Sequence, residues 1–139
     1  MKEEIKFLLW LDDIRNPLEG DWLKFSPIDP PYTTVWVKSY SEFVQQIKKN
    51  GLPDAICFDH DLGMTAALEA RAKGLSKRKS RELKKLEKTG YDCAKWLVEY
   101  CMDKNLPLPK YSSQSFNPIG RENILELLDN FLKYQKQLI

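Results

Sequence analysis

No apolar run in this chain approaches the roughly 18 residues that a membrane-crossing helix needs. The opening Met1-Lys2-Glu3-Glu4 lacks the charged-then-apolar profile of a secretory signal. The expectation is a soluble cytoplasmic protein without a membrane partner. Cysteine is sparse: Cys57, Cys93 and Cys101 are odd in number and have no CxxC spacing, so they read as small core residues in a reducing compartment. Histidine is scarcer still, and any imidazole chemistry rests on His60 alone. The P-loop, GxGxxG, HExxH and GxSxG motifs are all missing.

What is present suffices for one core. The 139 residues are 42% hydrophobic and 12% aromatic, which suits a single domain over 1–139. The net charge of +2 hides an asymmetry. Residues 64–89 hold nine Lys or Arg against three Glu, while the other 13 basic and 17 acidic residues leave the body at −4. A mildly acidic body carries one basic insertion.

Two apolar runs end abruptly in carboxylates. Phe7-Leu8-Leu9-Trp10-Leu11 delivers Asp12-Asp13, and Ala55-Ile56-Cys57-Phe58 delivers Asp59-His60-Asp61-Leu62-Gly63. Near-continuous apolar runs of this length read as strands buried on both faces of a parallel sheet. Ile5 to Leu11 is expected as the first strand, Thr33 to Val37 as the second, Ala55 to Phe58 as the third and Lys110 to Ser113 as the fourth. Residues 14–32 hold five prolines or glycines and predict a long packed loop. A helix capped by Ser39 or Ser41 follows the second strand and closes at Asn50-Gly51. The basic insertion predicts one or two exposed helices interrupted near Gly74 and Ser76. A buried helix opens at Thr89-Gly90, and a last one at Asn117-Pro118. The alternation predicts an open, parallel, four-stranded α/β sheet in the order 2-1-3-4, with ligands bound where the order reverses between strands 1 and 3.

Asp12, Asp13, Asp59 and Asp61 would meet at that edge. Clustered carboxylates need a cation, and hard oxygen ligands suit Mg2+ or Mn2+. Singly, Asp12 or Asp61 could instead cap a turn. His60 between two aspartates could move protons, ligate metal or be structural. Ser113, Ser115, Asn117 and Arg121 surround a helix start, where free N–H groups favour phosphate; an ordinary helix cap with a surface arginine reads the same way. Arg15 either binds phosphate or pairs with Asp13. The basic residues between 71 and 88 suit a nucleic acid, a solvated helix or a cover that attracts anionic substrate, but no aromatic there stacks on a base.

An acidic pair after strand 1, an aspartate after strand 3 and a hydroxyl after strand 4 resemble the response-regulator receiver fold. By that resemblance Asp59 matches the phosphoacceptor, and Asp12 and Asp13 hold magnesium. The fifth strand, with its essential lysine, has no counterpart. Leu11-Asp12-Asp13-Ile14-Arg15-Asn16-Pro17, Phe58 to Gly63, Thr89-Gly90-Tyr91-Asp92 with Trp96-Leu97, and Ser115-Phe116-Asn117-Pro118-Ile119-Gly120-Arg121 with Asn123-Ile124 are more similar to the cyclic-phosphate processing receiver-like domains common in phage and bacterial proteins. That resemblance implies a metal-dependent phosphoesterase acting on a cyclic nucleotide or a 2',3'-cyclic RNA end. Asp12, Asp13, Asp59 and Asp61 would hold the metal, and Asp59 and His60 would be catalytic. Arg15, Ser115, Asn117 and Arg121 would bind phosphate, with Ser113 and Gln114 touching substrate. Family members usually carry a histidine where this chain has Gln114, and a short link where it has the basic insertion. A non-enzymatic module binding a nucleotide, nucleic acid or protein is the other reading.

Overall fold

The computed structural model describes residues 5–63, 70–86 and 88–137. Strands β1 (Phe7–Leu11), β2 (Thr33–Val37), β3 (Ala55–Phe58) and β4 (Lys110–Ser113) are all parallel. They form one sheet in the order β2-β1-β3-β4, as the alternation of elements predicts. β1 begins two residues later than expected. Its first residue, Phe7, faces Thr33, the first residue of β2, so Ile5 has no strand partner and is 71% exposed.

Period-two alternation splits β1 between two cores. Leu9 and Leu11 join Ile56 and Phe58 on one face, under α1 (Tyr40–Asn50), α3 (Gly90–Lys104) and α4 (Pro118–Gln137). Phe43 and Ile47, Leu97 and Cys101, and Ile124 and Leu128 are the inward residues of these helices. On the other face lie Leu8, Trp10, Ala55 and Cys57, covered by Trp22, Leu23, Ile28 and Tyr32 of the long loop. Five prolines and glycines hold that loop out of regular structure apart from a 3-10 turn at Trp22–Phe25. It buries enough aromatic surface to serve as a layer in its own right. Each fully buried Leu or Trp here is worth roughly 2–3 kcal/mol of apolar burial.

The helix ends follow their sequence signals. Ser39 Oγ accepts from Glu42 N at 3.1 Å, and Gly51 closes α1 at φ 84°. Thr89 and Asp92 form a reciprocal capping box at the start of α3. Asn117 Oδ1 accepts from Gly120 N at 3.0 Å at the start of α4. In the basic insertion, residues 70–72 are helical and Gly74 turns the chain at φ 86° before α2 (Lys77–Leu86). Lys77, Arg78, Lys79 and Arg81 of α2 are exposed. Residues 64–69 of the insertion and Glu87 lie outside the described residues. Among the described residues no helix is long and apolar enough to cross a membrane.

Candidate functional site

Strand register assembles the site. Leu11 pairs with Phe58, and Phe58 with Ser113, so Asp12, Asp59 and Gln114 each stand one residue beyond a strand end on the same edge of the sheet. The ladder continues through them. Asp12 N donates to Val37 O at 3.0 Å, Asp59 N to Leu11 O at 2.9 Å and Gln114 N to Phe58 O at 3.2 Å. Trp36 Nε1 donates to Asp12 O (2.7 Å) and Trp10 Nε1 to Arg15 O (3.0 Å), so two indoles pin the chain leaving β1.

Asp12, Asp13 and Asp59 are all buried, and each offers a carboxylate oxygen within 4.8 Å of the other two. Asp12 Oδ1 accepts from the backbone N–H groups of Ile14 (3.0 Å) and Arg15 (2.9 Å). Its Oδ2 meets Arg15 Nη1 at 3.0 Å, and the same nitrogen lies 3.6 Å from Asp59 Oδ1. Burial pushes the Asp59 carboxyl up to about 7, and the Asp12 charge adds to the rise; Arg15 pulls against it, and Asp13 raises it further. A proton is thus partly retained near neutral pH where a divalent cation could sit. Three crowded hard-oxygen donors, one of them reluctant to ionise, fit Mg2+ or Mn2+.

A cleft of about 330 Å³ opens over this group. Asp12, Asp13, Ile14, Arg15, Asp59, Asp61, Ser115, Phe116 and Asn117 line it. A cavity of about 390 Å³ at the opposite edge of the sheet, lined by Phe7, Leu9, Val35, Leu52 and Pro53 among others, has no titratable group in its wall.

The remaining expected site residues divide. Arg15, Ser115 and Asn117 reach the cleft. Asp61 lies on its wall but outside the three-carboxylate group, because its Oδ1 meets His60 Nδ1 at 2.9 Å and its Oδ2 accepts from Asn117 Nδ2 at 3.4 Å. The His60 ring packs on α4, where a Cβ on Gly120 would run into it, and its Nδ1 lies 3.4 Å from Nδ2 of Asn117 on the cleft wall. Since a carboxylate only accepts, the Asp61 contact makes Nδ1 an N–H nitrogen, and in the neutral ring Nε2 is then the acceptor.

Ser113, Gln114 and Arg121 lie outside the residues that line the cleft. Ser113 Oγ donates to Phe58 O at 2.7 Å, and Gln114 Nε2 to Leu11 O at 2.9 Å and Asp12 Oδ2 at 3.3 Å; both residues are 1% exposed. Gln114 Oε1 is buried without a hydrogen-bond partner among the described residues. Arg121 Nε donates to Ser113 O at 3.2 Å, and Arg121 lies outside the cleft lining. The start of α4 is also partly self-satisfied, since Asn117 Oδ1 takes Gly120 N and Ser115 Oγ takes Asn117 N at 3.1 Å.

Two aromatics went unmarked as site residues in the sequence. The Arg15 guanidinium carbon lies 4.4 Å from the Phe116 ring centre and 5.1 Å from that of Trp22. Phe116 sits between two polar expected residues, and that was its only signal. Trp22 came from a loop with no periodicity to read.

A parallel sheet in this order, with a buried acid group past β1 and β3, defines a receiver-like domain. The sequence matches the family described as the cyclic-phosphate processing Receiver domain over residues 7–130. The chain belongs to that family, whose description ties it to the processing of cyclic phosphates. No curated protein matches it. A solved chain described as a yeast Spc42 trimeric coiled coil, amino acids 181–211, fused to another structure is similar at 14% identity and a TM-score of 0.48. That likeness covers 99% of this chain and 83% of the other, and no argument rests on it.

Proposed function

We propose that this protein is a metal-dependent phosphoesterase that opens a cyclic phosphate, either a cyclic nucleotide or a 2',3'-cyclic RNA end. The observation that carries the reading is the buried group of Asp12, Asp13 and Asp59 beside Arg15, at the floor of an open cleft. Asp12, Asp13 and Asp59 would hold Mg2+ or Mn2+, with Asp61 on the cleft wall. The cation would supply charge stabilisation at the phosphoryl oxygens.

This chain's own residues account for the rest. Arg15 is held in place by the aromatic rings and offers guanidinium N–H groups to phosphate. Ser115 and Asn117 line the opposite wall and orient the ester. His60 Nε2, with Nδ1–H held on Asp61, takes a proton from the attacking water. The water oxygen bonds to phosphorus, one ring P–O bond breaks, and the leaving oxygen receives the proton. The product is a phosphate monoester. Gln114 is too deep to touch substrate and instead fixes the Asp12 carboxylate.

The test is incubation with Mg2+ or Mn2+ and a panel of cyclic mononucleotides, cyclic oligonucleotides and 2',3'-cyclic RNA ends, read by mass spectrometry. Addition of one water to a substrate, lost in Asp59→Asn and His60→Ala while both variants stay folded, supports the reading. Full turnover in both variants, or none by the wild type, sinks it. Gln114 in the usual histidine position favours one further reading, a binding module that retains nucleotide without opening it. Binding without product would select it.

A further inference from the structure

Phe116 is 70% exposed beside the buried carboxylates of Asp12, Asp13 and Asp59. A single exposed apolar residue is ordinary on a protein surface. This one is distinguished by its neighbours. Its ring lies 5.9 Å from that of Trp22, tilted by 55°, and the Arg15 guanidinium is over it at 4.4 Å. Arg15 occupies one side of the ring, while most of Phe116 faces solvent. The two aromatics come from segments 94 residues apart, the 3-10 turn and the link between β4 and α4. Trp22 also packs on the second core with Leu23, Ile28 and Tyr32, whereas Phe116 belongs to neither core. Ile14, 56% exposed, extends the apolar rim on the same cleft.

We infer that Phe116, backed by Trp22, is a stacking platform for the nucleobase of the ligand whose phosphate binds at Arg15 and the carboxylate group. This rests on the phosphoesterase reading for the location of the phosphate and adds the substrate class: a nucleoside cyclic phosphate in preference to a base-less sugar phosphate. The physical case is a pairing of needs. An exposed π-face gains by covering itself with another flat ring, and every base has one. A ligand that brings only phosphate leaves Phe116 wet. A ligand with a base one ribose away from its phosphate covers the ring while its phosphate sits on the guanidinium that the ring holds. Nothing on the platform reads base edges, so the preference is for a base and not for one particular base.

The test compares adenosine 3'-phosphate with methyl ribofuranoside 3-phosphate by calorimetric titration in Mg2+, for the wild type, Phe116→Ala, Phe116→Leu and Phe116→Trp. The wild type should favour the adenosine ligand by about 5- to 100-fold. That ratio should collapse in the alanine and leucine variants and survive in the tryptophan variant. Phe116 is largely exposed, so the substitutions leave the core intact, and the leucine variant gives the ratio if the alanine variant binds too weakly. Equal affinities in the wild type, a ratio unmoved by Phe116→Leu, or no binding of adenosine 3'-phosphate overturns the inference. Failure of the phosphoesterase reading is distinct: no cyclic phosphate is opened in the turnover assay although the base preference persists.

Discussion

Gln114 and Asp12 are 102 residues apart in the chain, yet their side chains meet at 3.3 Å. The same Gln114 nitrogen donates to Leu11 O, so one amide ties β4 across β3 to the end of β1 and holds a carboxylate of the Asp12, Asp13 and Asp59 group. It is an outer partner to a candidate ligand.

Gln114→Leu should therefore separate stability from metal affinity. Leu11 O keeps its bond from Asp59 N, and the buried unpaired Oε1 disappears with the substitution. Denaturant unfolding should shift by no more than about 1 kcal/mol. Affinity for Mn2+ should fall roughly 10- to 100-fold, as for other outer-shell substitutions. An unchanged metal isotherm would show that Gln114 does not hold Asp12 for a cation.

Asp59 predicts an unusual pH profile. Its folded-state pKa, about 7, lies above the ordinary 3.8, so the folded protein holds a proton that the unfolded chain releases. The Asp59 contribution to stability is greatest in acid and declines as pH rises from about 4 through 7, by on the order of 4 kcal/mol in metal-free buffer. Asp59→Asn removes the decline. At pH 8 without metal the variant should melt several degrees above the wild type, with the gap closing toward pH 5. Parallel profiles for the two proteins would refute the raised pKa.

Metal binding should run the opposite way. The cation requires ionised Asp59, so wild-type affinity for Mg2+ should rise by about tenfold per pH unit below 7 and level off above it. A flat response between pH 5.5 and 8.5, followed by calorimetry, would remove Asp59 from the ligand set.

Arg15 touches both Asp12 and Asp59 and stacks on two rings. Arg15→Ala should lower kcat/KM for a cyclic phosphate by about 100-fold, the usual effect of losing one preorganised donor to a developing anion. Arg15→Lys should recover little, because lysine lacks the flat fork that stacks and pairs at once. Full recovery by lysine would reduce Arg15 to a point charge.

Gly120 and His60 should couple. A methyl at Gly120 meets the imidazole, so Gly120→Ala should cost about 1–3 kcal/mol from overpacking. In a His60→Ala background the same change should turn neutral or favourable, since alanine suits a helix better by about 1 kcal/mol. Additive effects in that double-mutant cycle would mean the ring does not rest on α4 in solution.

Strand order, the limits of β2, β3 and β4, and the helix caps were legible because each rests on local chemistry. Apolar runs ending in Asp12 and Asp59 mark strand ends, and Ser39, Thr89 and Asn117 are residues that satisfy free helix N–H groups. The gathering of Asp12, Asp13 and Asp59 was legible for a related reason, since strand order alone brings those ends together. Side-chain direction was not. His60 turning to Gly120, Gln114 turning inward and Arg121 bonding to Ser113 O depend on packing between segments far apart in sequence. Trp22 was illegible for want of any periodicity, since its loop is shaped by the sheet face it covers.

That loop has a double duty. Residues 14–32 close the second core with Leu23, Ile28 and Tyr32, and the same stretch presents Arg15 to the cleft with Trp22 against its guanidinium. The protein therefore has no separable lid and scaffold on this side. A protease nick there would cost ligand affinity and core integrity in a single event, and bound nucleotide should protect the loop to the same extent that it tightens the fold.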